Sequence, residues 1–248
     1  GGDGANTLNI STVAAFVVAG CGLTVAKHGN KAVSSLSGSA DVLKCLGVNI
    51  DADKLRVENC LNEIGIGFLF APKIHGAMKH AAGVRKELGF RTIFNLLGPL
   101  TNPAGATRQV IGVYSPALTE TLATVLGNLG SEHVFVVHGS DGLDEMTLTG
   151  STRVSELKNG SVSTYDVSPE DVGLALADAS DLAGGEADEN AAMTVAVLNG
   201  EAGPKRDIVL LNAAAAIVAG GKASDLADGV KVAAEVIASG KALEKLEG

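Results

Sequence analysis

The spacing of two apolar runs constrains this chain more than any other feature. Residues 109–114 (QVIGVY) and 133–138 (HVFVVH) each read as a strand, and 117–129 between them reads as a helix. A strand, a helix of that length and a second strand make a βαβ unit, in which the helix carries the chain back so that the strands run parallel. The expected fold class is therefore α/β: a large domain with a mostly parallel central sheet flanked by helices. With 248 residues, 46% of them hydrophobic, the chain is long enough to bury such a core.

The other elements fit the same plan. Residues 11–21 are apolar on every side, the pattern of a helix buried against a sheet. Thr24, Val25 and Ala26 read as a short strand, followed by the polar loop KHGNKAVSSLSGS. Helices are expected at 40–46 and 51–64, and a buried strand at 66–70. Residues 72–88 have the spacing of an amphipathic helix and 91–97 that of a short one. GPLTNPAG then carries enough Gly and Pro to break any element. Residues 152–157 and 161–166, joined by Asn159-Gly160, predict a hairpin. Helices at 188–198, 208–219 and 226–238 are expected to finish the chain.

Charge narrows the partners. A net charge of −9 argues against nucleic acid, because phosphate neutralisation needs clustered Lys and Arg. An acidic chain can still hold a polyanionic small molecule through backbone N–H groups, a few placed cations, and metal ions on carboxylates. The longest apolar runs, 13–23 and 208–220, fall short of the roughly 18–20 residues a membrane span needs. No membrane association is expected. Cys21, Cys45 and Cys60 are too few and too scattered for a zinc site. They read as small buried residues and, without a secretory signal, point to the cytoplasm.

Three constellations carry chemistry. GGDGANTLNIST opens the chain, and its glycines let a backbone approach a phosphate with no Cβ in the way. Asn9, Ser11 and Thr12 lie where the next helix begins, so their side chains and the first helical N–H groups form an anion site. Asp3 would repel a phosphate and therefore suits a ribose hydroxyl or a metal. In the second constellation Lys27 places a point charge on a phosphate, while Ser34, Ser35, Ser37 and Ser39 supply hydroxyl donors. In the third, Asp144 and Glu145 follow a strand that ends in His138-Gly139. Adjacent carboxylates repel each other unless a cation sits between them, and hard oxygen ligands suit Mg²⁺ shared with substrate phosphates.

GGDGANTLNIST, KHGNKAVSSLSGSADVL, RTIFNLLGPLTNPAG and GLDEMTLTG occur in that order, with LNEIGIGFLFAP, VRKEL, VVHG, ENAA and LLNAAAA between and after them. In this wording the chain resembles the anthranilate phosphoribosyltransferases of tryptophan biosynthesis over essentially its whole length. The resemblance implies transfer of the phosphoribosyl group from 5-phosphoribosyl 1-diphosphate to anthranilate, with release of pyrophosphate and with Mg²⁺ as cofactor. It also implies a large α/β domain, 1–71 and 97–248, beside a remnant of a small helical domain, 72–96.

By motif, Gly1, Gly2, Asp3, Asn9, Ser11, Thr12, Lys27, Ser35, Ser37, Gly38 and Ser39 would hold phosphoribosyl diphosphate. Ser11, Asp144 and Glu145 would hold the metal. Asn30, His28, His75, Arg85, Gly98 and Pro99 would line the anthranilate path, Arg85 suiting the carboxylate. No general base is expected, because the aromatic amine is already a neutral nucleophile. The family's loop opens with a further Gly-Thr. Most of its small helical domain, with its homodimer contacts, lies ahead of that loop, so impaired activity is one expectation. The alternatives are a pyrimidine nucleoside phosphorylase-like enzyme, which GLDE argues against, and an inactive binding fragment.

Overall fold

The computed structural model describes residues 6–32, 36–76, 83, 87, 92 and 94–248. Gly1, Gly2, Asp3, Ser35 and Arg85 lie outside the described residues, as does most of the 72–96 segment.

The α/β class holds. Helix α1 (Ile10–Gly20) is buried nearly all round, as its unbroken apolar sequence requires. Strand β1 (Val25–Gly29) pairs in parallel with β2 (Ile66–Phe70), and α2 (Ser39–Cys45) and α3 (Lys54–Glu63) lie between them in sequence. A one-turn helix, α4 (Ala71–Ile74), stops at His75, so the helix expected from residue 72 breaks after its first turn. Helix α5 (Phe94–Leu100) runs through Gly98 and Pro99, where a breaker loop was expected. The Thr101 hydroxyl donates to the Leu97 carbonyl (3.0 Å), occupying an acceptor that the end of the helix leaves open.

The expected βαβ unit is present as β3 (Arg108–Gly112), α6 (Thr119–Asn128) and β4 (His133–Gly139), with β3 and β4 parallel. Every residue of β4 is buried, because the strand is covered on both faces. Val134 and Val136 meet Leu122 and Leu126 of α6, while Phe135 and Val137 face the main core. That core is built around α8 (Pro204–Ala219), which packs against α1 and against α9 (Leu226–Ala238). Helix α7 (Ala187–Leu198) packs against α2. A last helix, α10 (Lys241–Glu247), was not expected from the sequence.

The sheet is mixed rather than mostly parallel. Strands β5 (Thr152–Lys158) and β6 (Ser161–Val167) form the expected hairpin and join β4 antiparallel, giving the order β3-β4-β5-β6. The turn forces this: Asn159 and Gly160 both take positive φ (53° and 76°), the geometry of a two-residue hairpin connection. At the start of β4, the Glu156 carboxylate bonds His133 (2.8 Å) and accepts from the Tyr165 hydroxyl (2.6 Å).

The cysteines correct another expectation. All three are free, but Cys45 is exposed and Cys21 and Cys60 are only partly buried. No described helix is long and apolar enough to cross a membrane.

Candidate active site

The loop after β4 carries the paired carboxylates. Asp141 organises its near side, accepting from the Leu143 amide (3.0 Å) and from the hydroxyls of Thr147 (2.7 Å) and Thr149 (2.6 Å). Those bonds outweigh partial burial and keep its carboxyl below the usual range. On the far side, the buried Asn212 of α8 bonds both edges of Met146, accepting from its amide (2.9 Å) and donating to its carbonyl (2.8 Å). Gly112, at the end of β3, completes the clamp. A Cβ there would overlap the Asp144 carbonyl, so the loop crosses the strand end only because that position has no side chain.

Asp144 is 8% exposed and Glu145 is partly buried beside it. Burial and then the Asp144 charge push the Glu145 carboxyl up to about 7, against the pull of Lys27 and of a hydrogen bond from Ser11. Lys27 reaches the same place from β1. Burial lowers its pKa, and the charges of Glu145 and Asp144 oppose that shift. Ser11, Lys27, Asp144 and Glu145, three separate stretches of sequence, are thus electrostatically one cluster. Lys27 and His28 were expected in a loop and instead lie within β1, opposite Phe68 and Leu69 of β2.

The first loop and the serine loop meet directly. Asn9 stands at the start of α1, yet its side chain makes no cap bond. It turns sideways, donating to the Ser37 carbonyl (3.3 Å) and accepting from Asn190 (2.9 Å). Thr12 is enclosed at 2% exposure, with its amide bonded to the Asn9 carbonyl (2.9 Å). The Ser39 hydroxyl donates to the Asn30 carbonyl (3.2 Å), bending the chain from β1 into α2. Asp41 holds the bend, its carboxylate accepting from the amides of Ala32 and Gly38 (both 3.0 Å). Gly38 fits because a Cβ there would strike the backbone of residues 30–32.

His28 and His75 also come together, their Nε2 atoms 3.2 Å apart and their rings edge to face at 5.0 Å. Burial, and then the charges of His75 and Lys27, lower the His28 pKa. Asn30 is exposed beside this pair at the end of β1. Gly98 and Pro99 sit on α5, and the loop after it is tied to β1 by Asn102, whose amide donates to the Ala26 carbonyl (3.1 Å). Asp41, Gly112, Asp141, Asn190 and Asn212 are the supporting residues that sequence reasoning missed. The last two lie in the quoted segments ENAA and LLNAAAA, and that wording was their only signal.

The sequence pattern of the glycosyl transferase family a/b domain matches residues 1–243. The anthranilate phosphoribosyltransferase of Acetivibrio thermocellus is 60% identical over 247 residues, spanning 100% of this chain and 72% of that protein. The enzyme of the same name from Geobacter sulfurreducens is also 60% identical, with 71% of its length spanned. Among solved structures, the anthranilate phosphoribosyltransferase of Thermus thermophilus superposes with a TM-score of 0.94 at 49% identity, covering 100% of this chain and 74% of that one. The Saccharomyces cerevisiae enzyme in complex with PRPP and Mg gives a TM-score of 0.90 at 35% identity, covering 100% and 70%. The nucleoside phosphorylase alternative draws no support from these matches. With the match running through the cluster just described, the chain belongs to the anthranilate phosphoribosyltransferase family.

Proposed function

We propose that this chain transfers the phosphoribosyl group of 5-phosphoribosyl 1-diphosphate to anthranilate, releasing pyrophosphate, and that it does so at the cluster of Ser11, Lys27, Asp144 and Glu145. The observation that carries the reading is the convergence of Ser11 from α1 and Lys27 from β1 on Asp144, 8% exposed, and Glu145, where burial and charge crowding push the Glu145 carboxyl up. Two carboxylates forced together in a partly buried site suit a hard divalent cation. The described residues contain no convergent group of three or more His, Cys, Asp or Glu side chains. Asp144 and Glu145, with Ser11 beside them, therefore suit Mg²⁺ that takes its remaining ligands from substrate and water. Bound there, Mg²⁺ supplies positive charge to the departing pyrophosphate.

The chain's own groups do the rest. Lys27 places a second positive charge at the same point, and the serine loop between β1 and α2 brings Ser37, Gly38 and Ser39 to the phosphates, with Ser35 assigned to them by motif alone. Asp3, Asn9 and Thr12, with Gly1 and Gly2, hold the other side of the same substrate. Fixed charges aimed at the leaving group act where the transition state is most negative, and need no reorganisation as it forms. The anthranilate amine needs orientation rather than a base. His28 and His75, in contact at 3.2 Å, form one wall of its path. Asn30, Arg85, Gly98 and Pro99 contribute the remainder. His28, its pKa lowered, stays neutral beside Lys27 and does not repel a cation at the phosphates. The same reading divides the chain into an α/β domain, 1–71 and 97–248, and a helical part, 72–96, with α5 joining them. The three free cysteines accord with a cytoplasmic setting.

The test is direct. Protein incubated with phosphoribosyl diphosphate, Mg²⁺ and anthranilate should release pyrophosphate and consume anthranilate fluorescence, and omission of any one component should stop both. A folded protein that binds phosphoribosyl diphosphate but forms no product would overturn the transfer reading. Phosphate-dependent cleavage of uridine would replace it with the phosphorylase.

A further inference from the structure

Asn190 is 1% exposed in the first turn of α7, and every hydrogen-bonding group of its side chain is engaged. Its carbonyl oxygen accepts from the Gly185 amide (2.9 Å), while its nitrogen donates to Asn9 Oδ1 (2.9 Å) and to Ser37 Oγ (2.7 Å). These bonds reach across 181 and 153 residues of sequence to the first loop and the serine loop. We propose that Asn190 is a positioning residue for the phosphoribosyl diphosphate site, fixing the orientation of the Asn9 amide so that its N–H₂ group serves the substrate. The inference rests on the substrate reading given above.

Donor and acceptor polarity sets the orientation. A backbone N–H can only donate, so the Gly185 amide settles which end of the Asn190 amide is oxygen. The nitrogen of Asn190 must then face its other two partners. What Asn9 presents to it must be oxygen, and the Asn9 N–H₂ group is turned the other way. One of its hydrogens goes to the Ser37 carbonyl at 3.3 Å, a long bond, and the other is the donor we assign to a substrate oxygen. Left alone, an asparagine amide can flip and offer an acceptor instead, which a polyanion rejects. The relay removes that freedom.

The surrounding backbone is shaped to the relay. Gly184 has no room for a Cβ, which would strike the Thr7 carbonyl (2.5 Å) and Asn190 Oδ1 (2.8 Å). The 6–9 loop is held on the same strip of backbone, through Gly184 N to the Asn6 carbonyl (2.9 Å) and Leu8 N to the Leu182 carbonyl (3.2 Å). Asn9 is thus held in place by its backbone, and Asn190, at 2.9 Å against the 3.3 Å of the Ser37 carbonyl, is the closer of the two groups that set which way its side-chain amide faces.

Calorimetric titration of Mg²⁺ with phosphoribosyl diphosphate into the unaltered protein, Asn9→Ala, Asn190→Asp and the double variant tests this. Asn190→Asp replaces the two donors by an acceptor and should turn the Asn9 amide around. Affinity should fall roughly 10- to 100-fold, the worth of one hydrogen bond to a charged group. Asn9→Ala should fall by a similar factor, and the double variant should bind no more weakly than Asn9→Ala, because Asn190 acts through Asn9. KM for anthranilate should stay within about twofold, since the relay addresses the other substrate. Asn9→Asp keeps an acceptor toward Asn190 and loses the N–H₂ group, both its outward hydrogen and the long 3.3 Å bond to the Ser37 carbonyl. It should melt like the unaltered protein yet bind as weakly as Asn9→Ala, which decides the matter if Asn190→Asp fails to fold. Unchanged affinity in Asn9→Asp or Asn190→Asp, or losses that multiply in the double variant, would overturn the role of Asn190 alone. An unaltered protein that binds no phosphoribosyl diphosphate would overturn the substrate reading, and this inference with it.

Discussion

Strand β4 has a polar cluster at each end, and the two are built in opposite ways. At the His133 end, Glu156 bonds His133 at 2.8 Å and Tyr165 at 2.6 Å. Burial and the Glu156 carboxylate push the Tyr165 pKa up, so its hydroxyl stays a donor and the group closes on itself. At the Gly139 end, six residues along the same strand, Asp144 and Glu145 are forced together in the following loop and Glu145 is driven up to about 7. One cluster satisfies its own members, and the other crowds two carboxylates together with Lys27 as their neighbouring positive charge. Buried polarity thus has two signatures: self-sufficient groups hold the fold, and crowded like charges mark where a ligand completes the site.

The contrast is broken most severely by neutralising the crowded end. The double variant Asp144→Asn, Glu145→Gln should bind phosphoribosyl diphosphate with Mg²⁺ more than about 100-fold more weakly, two charge-assisted contacts having been lost. Without ligand it should melt no lower than the unaltered protein, because mutual repulsion has gone as well. Unchanged affinity by calorimetry would remove both carboxylates from the metal role.

Breaking the closed end should give the reverse pattern. Glu156→Ala strands His133 and Tyr165 in a partly buried setting, at a cost of about 2–4 kcal/mol. At this size that lowers the melting temperature by roughly 5–15 °C. Affinity for phosphoribosyl diphosphate should stay within about twofold. A large loss of affinity with no change in melting would mean that the two ends are coupled and the comparison fails.

The smallest effect sharpens the comparison through pH. Glu145 titrates near 7 in the folded chain against 4.5 for an ordinary glutamate. Between those values the folded protein holds a proton that the unfolded chain has released. Stability without ligand should therefore fall as pH rises through that window and level off above it. Among the described residues the groups facing Glu145 are Asp144, Lys27 and the Ser11 hydroxyl, so this slope belongs to the cluster as a whole. Glu145→Gln should flatten the curve by a few degrees of melting temperature, and an unaltered slope in that variant would place the titration elsewhere.

Much of this was legible from sequence. The βαβ spacing, the Asn159-Gly160 hairpin and the all-round apolar helix at 11–21 depend on local pattern, and each is present. Lys27, Asp144 and Glu145 were singled out chiefly by the family wording around them, since each charged group taken alone is a modest signal, and the fold brings the three together. What the sequence hid depends on partners far along the chain. Residues 27–29 looked too polar for a strand, but pairing with β2 overrides that preference residue by residue. Pro99 looked like a break, yet it lies at the end of α5, where little helix remains to be disrupted. Asn190 and Asn212 are ordinary helical asparagines until Asn9 and Met146 are brought against them. No spacing rule reports a contact across 181 residues.

Gly112 has a consequence in the language of heredity. Every codon change that replaces glycine adds a Cβ, and at this position the first added carbon already collides with the Asp144 carbonyl. Even alanine, the mildest change on paper, must push the carboxylate loop off the strand end. A loss-of-function screen should therefore score Gly112 alongside Asp144 and Glu145 themselves, although it lies on β3 and has no side chain to offer a substrate.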